Sequence, residues 1–495
     1  MHGAGDSSRS SSGDRPAGSE QVRIPWYCNE ILKRTDGSGP ISTIEFNGDG
    51  SYFAYGNGDG IVSVMEMGLA EESEITHARH TCSKPYQSFF SHQSEFDVLK
   101  SQAIEARITL IRWLPRSSQS HFLLSANERT IKLWRLSDIP SQNVFNMNFP
   151  TERGCRRKLI IRSSTDIRVP RCSPSTAPST VRVWNKRVFD RAHSFCITGL
   201  ATSVDRETFF STDALRINLW NLEVSDEVYS VLDRPLDSVD DRTHLITGLD
   251  CSNISPSLFA YCTNRGSVRL HDMRQSTCCD NPTLVFNSLS PDEPNILTLF
   301  VNAMSDIKMS KTSDRYIFTR DYLTVKVWDM NMPTAPVEVH PVQVKLQNQL
   351  SILYESELLC DDFKLSISSD DRFIVSGSYN RLVKVFDRQS LDHREYSLVM
   401  QKEEPNPFVD PFRSQIDPSP YTISMSDSAE SPWPRRIVED KTEAAGNLLG
   451  SDFSPEFARF GLDAGCKWLQ VSWRPGSYVV AVSHNDGIHL LEALC

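Results

Sequence analysis

The sequence lacks long apolar runs. None approaches the roughly 18 uninterrupted apolar residues that a transmembrane helix needs. The opening is rich in Ser and Gly and has no apolar core of a signal peptide, so residues 1–22 are predicted to form a disordered tail. The 12 cysteines are scattered, and the pair Cys278-Cys279 has no second pair at metal-ligand spacing. The simplest explanation of this cysteine pattern is that the thiols are reduced, so we expect the protein in the cytoplasm and also in the nucleus.

An excess of positive charge and the common catalytic motifs are also missing. The formal net charge is −11, which argues against a general binder of nucleic acid or of anionic membranes, because both need a basic surface. The sequence contains no H-E-x-x-H, no P-loop, no G-x-S-x-G and no paired C-x-x-C. We therefore expect a protein-binding protein rather than an enzyme, with no catalytic residue, no metal site and no cofactor.

What the sequence does contain is a repeat of a polar turn, a short alternating apolar run and a bulky final residue. It recurs seven times, at 58–65, 127–134, 213–220, 264–271, 321–328, 379–386 and 484–491. A second short strand precedes each copy, and this period-2 pattern is typical of antiparallel strands. Blades that are apolar on both faces must stack into a closed ring. The pattern thus predicts an all-β fold, a seven-bladed WD-repeat β-propeller over residues 23–495.

Individual positions in the repeat carry further predictions. His193 lies upstream of Trp220, where a WD-repeat histidine braces its blade. The segment 181–184 is interpreted as an outer strand that leads into the next blade. The segment 24–32 should close the ring by pairing with the last blade around 468–473. Acidic residues at strand-connecting turns are expected to cap the local backbone.

Long insertions interrupt the blades, and segments of such length are usually functional or disordered. The region 395–450 is rich in Pro, Ser and acidic residues, which predicts a flexible insertion. The segment 137–170 is basic on an acidic chain and contains an alternating apolar run, so we interpret it as a protruding β-hairpin that grips a partner. A solvated loop with a nuclear-import-like Arg-Arg-Lys patch is the alternative.

Several motifs are not general features of WD repeats. They are S-E-F-D-V-L-K-S at 94–101, I-R-W-L-P at 111–115, R-I-N-L-W at 216–220, T-R-D-Y-L-T-V-K-V-W-D-M-N-M at 319–332 and G-S-Y-N at 377–380. In this order they closely resemble the B-type, 55-kilodalton regulatory subunits of serine/threonine protein phosphatase 2A. The resemblance implies a non-catalytic subunit that docks on the scaffold and catalytic subunits and selects phosphoprotein substrates.

The resemblance also implies which residues contact the partners. The hairpin would bind the scaffold subunit through Arg156, Arg157, Leu159, Ile161, Ile167 and Val169. Substrates would bind an acidic rim on the upper face, formed by Glu95, Asp97, Lys100, Asp213, Arg320, Asp321 and Asp361. Charge-assisted hydrogen bonds to Lys or Arg of the substrate would be the recognition chemistry.

The chain departs from the family pattern at positions of this rim. Ala214 stands where relatives have a second acidic residue, Arg242 replaces a leucine, and Cys360 and Asp362 replace an aromatic residue and a lysine. Because one charge-assisted hydrogen bond contributes roughly 1.5–3 kcal/mol, we expect a shifted set of substrates. The alternative function is a substrate adaptor of a ubiquitin ligase, since H-D-M-R at 271–274 partly matches the Asp-x-Arg of such adaptors. That tetrapeptide suits the phosphatase family equally.

Overall fold

A computed structural model describes most of the chain. The described residues are 26–33, 39–69, 81–98, 101–116, 120–139, 142–145, 169, 171–174, 180–190, 192–234, 244–275, 281–288, 296–389, 395–402, 421–426, 466–484 and 487–493. Within these ranges the chain forms 33 β-strands and two short α-helices. The predicted tail 1–22 lies outside them. No helix in the described ranges is long and apolar enough to cross a membrane.

Seven sheets of four or five strands form the blades. Strand β1 (Trp26–Lys33) belongs to the last of them. The first blade contains β2 (Ile41–Phe46), β3 (Tyr52–Asn57), β4 (Ile61–Leu69) and β5 (Thr81–Phe90). A small hairpin of β6 (Glu95–Asp97) and β7 (Gln102–Ile104) follows. The second blade contains β8 (Leu110–Trp113), β9 (His121–Ala126), β10 (Ile131–Ile139) and, after β11 (Gln142–Phe145) and β12 (Arg171–Pro174), β13 (Thr180–Phe189).

The remaining blades repeat the same order. The third contains β14 (Gly199–Thr202), β15 (Thr208–Thr212), β16 (Arg216–Asn221) and β17 (Val228–Asp233). The fourth contains β18 (Ile246–Cys251), β19 (Leu258–Thr263), β20 (Ser267–Asp272) and β21 (Leu284–Asn287). After α1 (Ile296–Asn302), the fifth contains β22 (Asp306–Met309), β23 (Tyr316–Arg320), β24 (Thr324–Asp329) and β25 (Glu338–Pro341). After α2 (Leu350–Glu355), the sixth contains β26 (Leu365–Ile367), β27 (Phe373–Gly377), β28 (Leu382–Asp387), β29 (Glu395–Lys402) and β30 (Tyr421–Ser426). The seventh contains β31 (Val471–Trp473), β32 (Val479–His484) and β33 (Gly487–Ala493), together with β1.

The first strands of the blades form a closed cycle. Strands β2, β8, β14, β18, β22, β26 and β31 contact one another in this order, and β31 also contacts β2. The seven repeat copies of the sequence are the third strands β4, β10, β16, β20, β24, β28 and β33. The structure therefore confirms the seven-bladed WD-repeat propeller. The segment 181–184 lies in β13, the outer strand of the second blade, as interpreted from the sequence.

Ring closure differs from the sequence prediction. Strand β1 pairs antiparallel with β33, from Trp26 opposite Ala493 to Lys33 opposite Gly487, and not with the segment 468–473. The reason is the strand order β1-β33-β32-β31, in which β31 lies in the inner cycle and only β33 offers an open outer edge. The Trp26 ring still contacts Trp473 edge-on, with centroids 5.9 Å apart.

The core is distributed between neighbouring blades. Between the sixth and seventh blades, Phe373 and Val385 pack with Trp473 and Val480, and all four are almost fully buried. Burying one such side chain contributes about 1.5–3 kcal/mol. Because every blade supplies apolar residues to two neighbours, no blade can bury its faces alone, which is why the ring must close.

The predicted insertions are only partly described. Residues 137–139 finish β10, and β11 pairs antiparallel with β12, so two strands exist at the root of the predicted hairpin. Residues 146–168 lie outside the described ranges, and the hairpin boundaries stay a prediction. In the region 395–450, β29 is the fourth strand of the sixth blade and β30 pairs with it. The rest of that region is not described.

Candidate protein-binding rim

One edge of the ring carries the described residues that were predicted to bind substrates. Neighbouring strands in each blade are antiparallel, so the turn between the second and third strands lies at the same edge as the connection to the next blade. We call this edge the upper rim. Asp213 and Asp321 lie in such turns, and Glu95, Asp97 and Asp361 in such connections. Arg320 ends β23, next to the turn.

The β6–β7 hairpin presents the most exposed part of the predicted rim. Glu95 is exposed, Asp97 is half-buried, and Lys100 lies outside the described residues. Two apolar neighbours that the sequence analysis did not single out are also exposed, Phe96 at 61% and Val98 at 81%. The alternation in E-F-D-V could have revealed them. This hairpin therefore combines negative charge with apolar surface, which suits a peptide with basic and apolar residues.

Asp213 has a different environment from the one expected. Its side chain is fully buried. One carboxylate oxygen accepts hydrogen bonds from the Leu215 and Arg216 amides, both at 2.8 Å, and the other lies 3.2 Å from Nδ1 of His193. Burial acts to raise the pKa of Asp213, but these hydrogen bonds outweigh it and lower the pKa below its usual value. The carboxylate holds the turn and is not available to a substrate.

His193 completes this bracing network. Its Nε2 lies 2.7 Å from the Ser211 hydroxyl, which also accepts a 2.8 Å hydrogen bond from the Trp220 indole. Both ring nitrogens therefore have partners, and the residue has the structural role that the sequence predicted. The chain of His193, Asp213, Ser211 and Trp220 ties the upper rim of the third blade to its core.

Arg320 and Asp321 are also part of the internal structure. Asp321 is 3% exposed and accepts hydrogen bonds from the Leu323 amide at 2.9 Å and the Thr324 amide at 2.6 Å. It also pairs with Lys326 at 2.6 Å. Arg320 is fully buried, donates hydrogen bonds to two backbone carbonyls and lies over the Phe363 ring. Burial lowers the pKa of its guanidinium group to about 10. These side chains shape the turn, so the expectation that they line an open rim does not fit their burial.

Asp361 lies across the ring from the β6–β7 hairpin. The hairpin connects the first and second blades, whereas Asp361 connects the fifth and sixth. Its carboxylate accepts a 2.7 Å hydrogen bond from the Tyr379 hydroxyl and pairs with Lys467 at 2.5 Å. Next to it, Cys360 and Asp362 are exposed. The structure therefore brings the predicted acidic residues to one rim but not to one cluster.

The remaining predicted residues are described only in part. Of the scaffold-binding residues, Val169 is described and is 77% exposed. Arg156, Arg157, Leu159, Ile161 and Ile167 lie outside the described ranges, as does Arg242 of the rim. In the described parts of the chain, no group of three or more His, Cys, Asp or Glu side chains could hold a metal ion.

The closed ring and the His–Asp–Ser–Trp network define the chain as a WD-repeat propeller with one rim rich in charged side chains. Comparison with known proteins is more specific, although no protein-family model matches the chain. The beta isoform of the B-type 55 kDa regulatory subunit of serine/threonine-protein phosphatase 2A from Carassius auratus is 33% identical over 455 residues, which cover 91% of this chain and 93% of that protein. The chain therefore belongs to the family of B-type 55 kDa regulatory subunits of phosphatase 2A, and the resemblance found in the sequence motifs is confirmed.

Proposed function

We propose that this chain docks on the scaffold and catalytic subunits of protein phosphatase 2A and selects phosphoprotein substrates for them. The observation that carries the proposal is the 33% identity to a B-type regulatory subunit, which extends over 91% of the chain. The 455 matched residues far exceed the length of one blade, so the relationship is to the ring as a whole and not to one repeat. In this proposal the chain supplies binding surfaces and leaves the hydrolysis of phosphoesters to the catalytic subunit.

The proposed substrate surface centres on the β6–β7 hairpin. Glu95 and Asp97 would pair with basic residues of a substrate, and the exposed Phe96 and Val98 would pack on its apolar residues. Lys100 follows in the same connection. Asp213, Arg320 and Asp321 would act indirectly, because their buried side chains fix the turns that shape the rim.

The proposed scaffold contact is the hairpin that starts at β11 and returns at β12. Its root is a paired two-stranded sheet, and Val169 just before β12 is exposed. The intervening sequence contains Arg156 and Arg157 together with the apolar run around Leu159 and Ile161. A basic arm of this kind would bind the scaffold through charge and apolar contact.

The test is assembly from purified scaffold subunit, catalytic subunit and full chain. We expect a heterotrimer from the parent chain. Replacing residues 146–168 by a short Gly/Ser loop, which leaves β10, β11 and β12 intact, should weaken scaffold binding at least about a hundredfold, because a few residues of an interface carry most of its binding energy. The matched control replaces 403–420, between β29 and β30, by a loop of equal length and should assemble normally.

Two outcomes would count against the proposal. If the parent chain ignored both phosphatase subunits and co-purified from cells with ligase subunits, it would be a ubiquitin-ligase adaptor. If the 146–168 replacement assembled normally, the regulatory role would stand, but the hairpin between β11 and β12 would not be part of the scaffold contact.

A further inference from the structure

A cluster of positive charge extends from the upper rim into the interface between the third and fourth blades. Arg234 and His244 come from the connection between these blades, and Arg269, Tyr261 and His271 from strands β19 and β20. Arg234, Arg269 and His244 are half-buried, whereas Tyr261 and His271 are buried. The cluster thus lies at the edge of the interior, partly shielded from solvent.

Both guanidinium groups of the cluster have neutral surroundings. Arg234 donates a 2.7 Å hydrogen bond to the Tyr261 hydroxyl and a 3.0 Å hydrogen bond to the His244 carbonyl. Nε of Arg269 is buried and has no hydrogen-bond partner among the described residues. No ion pair within the described ranges includes either arginine. Their charges are therefore shielded from water without being neutralised by a described carboxylate.

The two histidines add hydrogen-bonding capacity but no negative charge. Nδ1 of His244 and Nε2 of His271 are buried without a hydrogen-bond partner among the described residues. Burial and, to a smaller extent, the charges of Arg269 and Arg234 lower the pKa of each histidine to about 4, so both rings are neutral at pH 7. A neutral imidazole has one N–H donor.

The neighbouring turn of the third blade supplies no carboxylate on this side. Ala214 accepts a hydrogen bond from the Ile246 amide through its carbonyl, and Leu215 accepts one from the Arg234 amide. Asp213 in the same turn is occupied by His193 and two backbone amides. An anionic ligand would supply the negative charge that no described side chain of this net-acidic chain places beside the two arginines.

We propose that this cluster binds an oxyanion of a substrate segment, from a phosphorylated or an acidic side chain. Guanidinium groups bind carboxylate and phosphate oxygens through paired, charge-assisted hydrogen bonds, and partial burial strengthens these bonds. The inference rests on the proposed function and adds a substrate class to it. Such substrates have an anionic residue that contacts the cluster, in addition to any basic residues that contact the β6–β7 hairpin.

Peptide binding to the full chain tests this inference. The probes are three fluorescent peptide pools with degenerate flanks and a fixed central phosphoserine, glutamate or serine. We expect the phosphoserine pool to bind at least about tenfold more tightly than the serine pool, and pyrophosphate to displace it. If the glutamate pool binds as tightly as the phosphoserine pool, the ligand is an acidic residue. If the glutamate pool binds more weakly, the ligand is a phosphoryl group.

Variants localise the effect. Arg234→Gln with Arg269→Gln should reduce the phosphoserine pool to the affinity of the serine pool. The matched control is Arg216→Gln on the same rim, where Arg216 is 2.8 Å from Asp233, and it should keep the preference. Assembly with the scaffold subunit is measured on every variant, so that misfolding is recognised and a failure of the regulatory role is told apart from a failure of this site.

Three results would overturn the inference. One is equal binding of all three pools by the parent chain. Another is a preference that survives in the double variant. The third is a preference that appears only after Asp237, Asp240 and Asp241 are changed to Asn, because the chain's own carboxylates would then be the counterions.

Discussion

Equivalent turns of the third and fourth blades carry different polar side chains, a carboxylate in the third and an amide in the fourth. His193 lies 20 residues before Asp213, and His244 is equally far before Asn264. In both blades the residue at the turn accepts a hydrogen bond from the backbone just after the histidine, from Ser194 to Asp213 and from Leu245 to Asn264. The third blade closes its network around a carboxylate. The fourth has an amide there.

The ends of the third strands complete the contrast. Trp220 donates to Ser211 and packs against Phe209, whereas His271 in the fourth blade stacks between Phe259 and Tyr261 with centroids 5.2 and 5.4 Å away. In both blades an aromatic ring fills the space at the end of the third strand. Among the described residues of these two blades, the third has no buried side-chain polar atom without a hydrogen-bond partner, whereas His244, Arg269 and His271 of the fourth and its connection each have one. The same backbone arrangement therefore supports either a closed polar network or one with unsatisfied groups.

The largest expected effect concerns the acid at the turn. Asp213→Ala removes the acceptor of two backbone amides and of His193 and leaves these donors buried, so we expect a loss on the order of 3 kcal/mol in the free energy of unfolding. Asn264→Ala removes the acceptor of the Leu245 amide and should cost about 1 kcal/mol. Urea denaturation followed by tryptophan fluorescence measures both. Equal losses would mean that the two turns are braced alike.

The second largest expected effect is a difference between the two blades in their stability at acid pH. The pKa of His271 and of His244 is lowered to about 4 in the folded state, against 6.5 when unperturbed. Between these values the unfolded chain takes up protons that the folded chain does not, so the free energy of unfolding falls as pH falls from about 6.5 to about 4. Asp213 has a pKa below 3.8, and its contribution is lost only below that value.

Hydrogen exchange at pH 7 and pH 5, corrected for intrinsic rates, measures this difference. Amides of β19 and β20 should lose protection at pH 5 relative to those of β15 and β16. His271→Phe keeps a ring between Phe259 and Tyr261 but cannot be protonated, so it should reduce the loss. Equal loss in both blades, or no effect of the variant, would contradict the assignment. Arg269 and Arg234 are the charged groups that lower the pKa of both histidines, and Arg265 also lowers that of His244.

The seven third strands were predictable because their signal is local. A polar turn followed by alternating apolar residues is read within eight positions, and the ring follows from stacking. The closing partner of β1 was not predictable, since edge pairing of Trp26 with Ala493 leaves no trace in either segment. Burial was the other limit. The sequence shows the charge of Asp213 and Asp321, but only the structure shows that backbone amides already occupy their carboxylates.

The cluster of Arg234 and Arg269 was beyond sequence analysis for a related reason. Arg234 lies in the connection after the third blade and Arg269 in the third strand of the fourth, and the repeat copy 264–271 does not mark Arg269 as a binding residue. What distinguishes them from Arg216 on the same rim is the absence of a described carboxylate partner, which depends on three-dimensional contacts.

The smallest expected effect completes the comparison. Arg216 pairs with Asp233 at 2.8 Å, but the two side chains are 41% and 49% exposed, so water and salt screen the pair. Exposed ion pairs contribute about 0.2–1 kcal/mol. Arg216→Gln should therefore lower the free energy of unfolding by less than about 1 kcal/mol, and the difference should vanish in about 1 M NaCl, where the screening length is only ~3 Å. Urea denaturation at low and high salt measures it. A larger, salt-independent loss would show that this arginine is part of the buried network of Asp213, and it could then no longer serve as a neutral control for the cluster one blade away.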